Sequence, residues 1–184
     1  VDQWRRCRTE EHRVISMSTP TVLQKNPVIS FVAETIATGF GSGRWPFVAP
    51  ATIGTFSALV VYWLLDMAVF GGDGDSIWFF VLIAATTVAG VWSTDYIDND
   101  DDHDPKRGVI DEWAGVWVTV LFLPVTWPWM IAGFFVFRAL DILKPLGVRK
   151  IEAWPGGWGI MFDDIAAGAI GAVILNAVRL VFFA

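Results

Sequence analysis

Two pairs of adjacent carboxylates, Asp111-Glu112 and Asp163-Asp164, each run directly into an apolar stretch, from Trp113 and from Ile165. Adjacent carboxylates at the edge of an apolar helix can hold Mg²⁺ through one or two oxygens while a substrate phosphate supplies others. Either pair alone is explained as simply by helix capping, because Asp and Glu stabilise a helix N-terminus. Two pairs on one side of a membrane are harder to explain that way. A third motif, Arg138-x-x-Asp141-x-x-Lys144-Pro145, lines up a cation, a carboxylate and a cation at three-residue spacing along one side of a helix that Pro145 would end. Arg grips phosphate with two parallel bonds and Lys adds a point charge. The alternative is a local Arg–Asp pair with Lys144 reaching to the interface. A fourth motif is the loop Ala37-Thr38-Gly39-Phe40-Gly41-Ser42-Gly43, followed by Pro50-Ala51-Thr52. Glycines let backbone N–H groups approach an anion, although a plain flexible loop has the same composition. It is neither a Walker A loop nor a dinucleotide fingerprint.

Other chemistries lack their residues. The single cysteine, Cys7, lies in a polar N-terminal stretch, so the apolar body holds no thiol nucleophile and no internal disulfide can form. His103 is the only histidine beyond that stretch, which leaves no zinc site. The acidic run from Asp98 to Asp104 lacks the central glycine of a calcium loop and reads as solvated. A net charge of −6 and a pI near 4.7 argue against a nucleic-acid partner.

The elements that must position these groups read as membrane helices. Hydrophobic residues make up 54% of the 184 residues and charged residues 17%, against about 25% in soluble domains. Trp and Phe, with 11 and 14 copies, are abundant, and Trp favours membrane–water interfaces. Apolar stretches cover roughly 51–70, 77–94, 113–140 and 165–184. The first, second and fourth suit single spans. The third contains Pro124 and Pro128 and is predicted to form two short helices, 113–123 and 129–143, joined by a turn. Basic residues lie in the N-terminal region, in 95–112 and in 144–164, but not in 71–76, which puts 71–76 outside and the other segments on the cytoplasmic side. That parity requires the third stretch to enter and return. The expected fold is all-α: a polytopic membrane helical bundle with short paired helices in the middle and its charged motifs on the cytoplasmic face. Residues 1–28 read as a polar, poorly ordered extension, with Met17 resembling a natural start, and 29–184 as the membrane domain. Gly168 with Ala172 and Ala167 with Gly171 give the small-x-x-x-small spacing of close helix packing.

Four motifs together resemble the phosphatidylglycerophosphatase A family: the 37–43 loop, Asp111-Glu112, Phe137-Arg138-Ala139-Leu140-Asp141-Ile142-Leu143-Lys144-Pro145, and Gly156-Gly157-Trp158-Gly159 through Phe162-Asp163-Asp164-Ile165-Ala166-Ala167-Gly168. The resemblance covers roughly residues 30–175. It implies an all-helical, multi-pass protein of the bacterial inner membrane, with its site facing the cytoplasm and phosphatidylglycerophosphate as substrate, Mg²⁺ as cofactor, and a homo-oligomer as one possible assembly. By matched position it nominates Glu34, Asp111, Glu112, Asp163 and Asp164 toward the metal. Asp111, Asp141 and Asp164 become the catalytic candidates. Arg138, Lys144, Thr38, Gly39, Gly41 and Ser42 stand on the phosphate side. Two motifs depart from the family pattern: Ala51 stands where glycine is usual, which would strain a positive-φ backbone, and Leu146-Gly147 follow Pro145 in place of Trp-Pro.

The residues point to metal-assisted hydrolysis, which needs charge neutralisation and a positioned water. An aspartyl-phosphate route through Asp111 or Asp141 stays open. A CDP-alcohol phosphotransferase would need a spaced array of four aspartates that the chain lacks. A non-catalytic or cation-handling membrane subunit would want polar groups in mid-span, whereas Asp66 is the acidic residue well inside the first span.

Overall fold

The computed structural model describes residues 26–44, 49–70, 77–98, 108–145 and 147–182, and within them every regular element is helical. The N-terminal extension, the 71–76 loop and the acidic run with His103 lie outside the described residues. Helix α1 (Pro27–Ala37) leads through a 3₁₀ turn (Ser42–Arg44) to α2 (Pro50–Leu65), which a π-turn (Asp66–Phe70) extends. Then follow α3 (Ile77–Asp98), α4 (Ile110–Val120), α5 (Trp127–Leu143), the short α6 (Val148–Glu152) and α7 (Gly157–Phe182). Pro50–Val69, Ile77–Ile97 and Gly157–Phe182 are long and apolar enough to cross a bilayer. Their outward faces carry large apolar side chains such as Val88 and Val173, each about 70% exposed, as lipid contact requires. The protein is membrane-associated.

The expected break in the third apolar stretch is present. Pro128 sits in the first turn of α5, where a missing N–H costs nothing. Eleven residues of α4 rise about 16 Å, too little for a hydrocarbon core of about 30 Å. So α4 and α5 form an antiparallel hairpin, with Gly115 against Phe137 and Gly133 against Val120, rather than one span. Its tip leaves carbonyls that neither helix satisfies, which is costly away from water. Helix α7 supplies the donors: Asn176 Nδ2 donates to Leu121 O at 3.1 Å, and the Arg179 guanidinium donates to Phe122 O. Phe122 adopts a left-handed conformation (φ 66°) to make the turn.

Helices α4 and α7 run parallel and touch through backbone. A Cβ on Gly168 would lie 2.2 Å from Gly115 O, and one on Gly171 would lie 2.9 Å from the Thr119 side chain. The small-residue spacing read from the sequence therefore marks a real crossing, with α4 as the partner. Trp117 locks α4 to α2 through a 2.8 Å hydrogen bond from its indole to Ala58 O. The core includes Tyr62 stacked on Phe79, with Val116, Val120, Phe137 and Met161 buried around it.

Two local expectations change. Helix α7 begins at Gly157, not after Asp164, because Asp95 of α3 accepts the Gly157 N–H at 2.6 Å and caps it from outside. Ala51 lies in regular helix in the first turn of α2 and takes no positive φ, so alanine is unstrained there.

If Asn176 holds the hairpin tip, Asn176→Leu should lower stability in detergent by roughly 1–3 kcal/mol, the cost of stranding a buried carbonyl. The lipid-facing Val173→Leu should leave the thermal midpoint unchanged. Equal midpoints for the two variants would remove Asn176 from this role.

Candidate active site

Each acidic pair stands one helical turn before the α4–α7 crossing. Asp111 precedes Gly115 by four residues, and Asp164 precedes Gly168 by four. In parallel helices that touch at those glycines, the two pairs are brought side by side. Asp164 lies within electrostatic reach of Asp111, Asp141, Glu112 and Asp163. Glu112, Asp163 and Asp164 are each at least nine-tenths buried. Capping does not account for the second pair, whereas Asp111 and Glu112 do stand in the first turn of α4, where a helix N-terminus favours them. Asp163 and Asp164 fall in the second turn of α7, well inside the helix, and no side chain caps α4.

The end of α5 supplies the cations. Arg138 donates to Asp141 at 2.7 Å and lies 3.9 Å from Glu112. Lys144 takes a left-handed conformation (φ 44°) that ends the helix, and its ammonium lies 2.6 Å from Asp163 and 3.1 Å from Glu152. Burial acts to lower the Lys144 pKa, but the hydrogen bonds to Asp163 and Glu152 outweigh it, and the group is held charged above its usual range. Glu152 was not among the sequence candidates; it becomes visible only once α6 folds back toward α5.

The acidic side is under-compensated. Asp111 Oδ1 and Glu112 Oε2 are buried without a hydrogen-bond partner. Burial, opposed by hydrogen bonds to Glu112 and reinforced by the charge of Asp163, pushes Asp111 up to about 6. Burial and then the Asp111 carboxylate push Glu112 well above its usual value, despite Arg138 nearby. Buried oxygens of this kind, with several like charges around them, are the donor set a hard divalent cation takes. Mg²⁺ therefore fits the chemistry of the cluster. Asp111, Glu112 and Asp164 are the candidates to hold it, since Asp163 is engaged by Lys144 and by the N–H of Asp164, and Asp141 by Arg138. Among the described residues no three such side chains converge closely enough to hold a metal ion as they stand. Mg²⁺ is commonly held through only one or two carboxylates, with water and substrate phosphate supplying the other oxygens. Glu34 is engaged elsewhere, in an ion pair with Arg44.

The glycine loop reaches the same region. Val109, just before α4, donates to Ala37 O at 2.8 Å. A Cβ on Gly39 (φ 54°) would come within 2.7 Å of the Trp113 indole nitrogen and 2.8 Å of Ser42 Oγ, so only glycine fits. The backbone N–H groups of Thr38 through Arg44 all donate within the loop and its flanking turn. The loop as folded thus offers no spare backbone donors for a phosphate. What it offers is the Ser42 hydroxyl beside the Trp113 indole, whose N–H is buried and has no partner. Trp113 is a residue the sequence reading passed over, because its neighbours Asp111 and Glu112 carried the chemistry and a Trp at a membrane edge has an ordinary interfacial use.

The chain matches the profile of Phosphatidylglycerophosphatase A over residues 35–179. The chain belongs to the phosphatidylglycerophosphatase A family. It is therefore a phosphatase. A Bacteroides thetaiotaomicron protein named "Putative phosphatidylinositol-3-phosphatase" is 39% identical over 158 residues, covering 82% of this chain and 95% of its own. The Escherichia coli protein named phosphatidylglycerophosphatase A is 37% identical over 143 residues, with 76% and 79% covered, and its Haemophilus influenzae namesake is 30% identical over 151 residues, with 78% and 86% covered. No solved structure matches the chain.

An orphaned indole N–H beside the loop has a measurable consequence. Trp113→Phe removes a donor that bonds to nothing in the protein, so the thermal midpoint should move little. The KM for the phosphorylated lipid should rise about fivefold or more, as for the loss of a hydrogen bond to a charged group. An unchanged KM would make Trp113 a packing residue only.

Proposed function

We propose that this phosphatase hydrolyses phosphatidylglycerophosphate to phosphatidylglycerol and inorganic phosphate, in a Mg²⁺-dependent reaction at the cytoplasmic edge of the bacterial inner membrane. The observation that carries the reading is the buried, under-compensated carboxylate cluster of Asp111, Glu112 and Asp164 beside the cations Arg138 and Lys144. The Escherichia coli and Haemophilus influenzae relatives' names support the substrate. The Bacteroides relative's name makes phosphatidylinositol 3-phosphate the competing lipid, since both substrates carry a phosphomonoester on a glycerolipid headgroup.

In this reading Asp111, Glu112 and Asp164 hold the cation. Bound there, Mg²⁺ supplies neutralisation of the phosphate's charge. The residues around it do the rest. Arg138, with further guanidinium donors beyond the one given to Asp141, grips phosphate oxygens. Lys144 stays protonated on Asp163 and adds positive charge to the same rim. Trp113 and Ser42 donate from the loop side. Asp141, held by Arg138, is the candidate to take a proton from the attacking water. Water oxygen bonds to phosphorus, the bond from phosphorus to the glycerol oxygen breaks, and that oxygen leaves with the proton that Asp141 received from the water. The low dielectric of the buried rim strengthens each of these charge interactions.

The assay is phosphate release in detergent from phosphatidylglycerophosphate and, separately, from phosphatidylinositol 3-phosphate, before and after chelation. Release from the first lipid that stops with chelator and returns with Mg²⁺ is expected; exclusive release from the second would replace the substrate. Asp111→Asn and Asp164→Asn should each lower turnover by roughly 100-fold or more. Each removes one of several crowded like charges, so the metal-free thermal midpoint should hold or rise. Near-normal turnover in both variants would sink the site.

Orientation has its own test. In a Cys7→Ser background, a membrane-impermeant maleimide should label Ile77→Cys on intact cells, and Glu152→Cys only after permeabilisation. Labelling of both from one side would overturn the cytoplasmic assignment.

A further inference from the structure

A groove of about 120 Å³ lies between α2 and α5, lined by Phe56, Leu59, Trp127, Met130, Ile131 and Phe134, with Val60 and Phe135 at its margins. Every lining residue is apolar. The two helices run antiparallel here, with Trp63 against Trp127 at the deep end (ring centroids 5.3 Å apart) and Phe56 facing the Phe134–Phe135 turn at the shallow end. Along α5 the groove residues Ile131 and Phe134–Phe135 recur at the three- to four-residue spacing of one helix face, and the next position on that face is Arg138. The groove therefore leads to the phosphate-side guanidinium.

Its dimensions select an occupant. From Trp127 to Phe135 the helix rises about 12 Å, close to the roughly 15 Å that one leaflet contributes to the hydrocarbon core. So small a volume cannot seat another helix, whose diameter with side chains is about 10 Å or more. A few consecutive methylenes of an unbranched hydrocarbon chain can lie in it, the rest of the chain continuing into the leaflet. A lipid whose phosphate sits at Arg138 must also send its acyl chains down into the leaflet, and the groove continues the site in that direction.

We propose that the α2–α5 groove is the subsite for one acyl chain of the substrate lipid, so that the enzyme holds its substrate by tail and headgroup together. This rests on the phospholipid reading above. It makes Ile131 and Leu59 determinants of how tightly a lipid is held, in a place remote from the reacting phosphate.

The test uses the full chain in detergent–lipid micelles and a phosphatidylglycerophosphate analogue bearing a diazirine in mid-chain. Photolabelled residues are mapped by mass spectrometry, and phosphate released from the same analogue is counted. Labelling concentrated on Leu59, Ile131 and Phe134, well above that on the lipid-facing Val81 of α3, is expected. Ile131→Trp, a filling substitution at a position 55% exposed, should cut that labelling and raise the KM for the long-chain lipid by about tenfold. Val81→Trp should change neither. Phosphate release with labelling spread evenly over the lipid-facing surface overturns the groove while leaving the reaction intact. Groove labelling without phosphate release overturns the reaction and leaves the groove a lipid site. Should Ile131→Trp fail to fold, the wild-type labelling map decides alone.

Discussion

The backbone contact between Gly115 and Gly168 is the constraint on which this molecule turns. Two parallel helices approach so closely there that any side chain at either glycine would meet backbone. The consequence appears one turn earlier, where the same approach presses Asp111 and Glu112 toward Asp163 and Asp164. Helices separated by ordinary side chains would sit about 8–10 Å apart and let water screen the four carboxylates. Small residues deny them that screening. In a membrane interior, glycine contacts of this kind also supply the packing that water would otherwise drive. One feature thus stabilises the bundle and creates an electrostatic demand that a cation and a phosphate can meet.

That demand is met unevenly within the protein. Arg138 and Lys144 arrive from α5, but each is spoken for, by Asp141 and Glu112 and by Asp163 and Glu152. The carboxyl oxygens left over, on Asp111 and Glu112, are buried and unpartnered. Asp111 and Glu112 bond to each other and both hold protons more tightly than usual, yet one oxygen on each stays unsatisfied, which is costly in a buried place.

Much of this was legible in the sequence, for identifiable reasons. Pro124 and Pro128 announced the hairpin, and the charge asymmetry of the loops demanded it. The acidic pairs and the Arg138–Lys144 repeat stood out as candidates, because charge beside long apolar runs is conspicuous, and the fold brings them together. Three things were hidden. The start of α7 at Gly157 depends on Asp95, a capping residue 62 positions away in sequence. Propensity carries no record of such a partner, so the helix seemed to begin where its apolar run began, and Asp163-Asp164 took on the look of caps. The glycine loop looked like a phosphate cradle because composition shows glycines but not where their N–H groups bond, and here they close on the loop itself. Trp113 and Glu152 were missed because each matters only through a neighbour that tertiary folding provides.

The hairpin explains why a headgroup enzyme is built in this way. A span that crossed the bilayer would deliver one charged end to the cytoplasmic side and the other to the far side. A hairpin that returns delivers both ends to the same side, so Asp111-Glu112 at the start of α4 and Arg138–Lys144 at the end of α5 can meet although 25 residues of largely apolar chain separate Glu112 from Arg138. The price is a buried tip with unsatisfied carbonyls. Helix α7 supplies both remedies: Asn176 and Arg179 bond the tip, while Gly168 and Asp164 on the same helix build the site at the other end. Since α4 is clamped to α7 at both ends, the depth of the hairpin is fixed by that clamp. The carboxylates are therefore held in fixed register with the N-terminal half of α7, beside the cations that the end of α5 brings back.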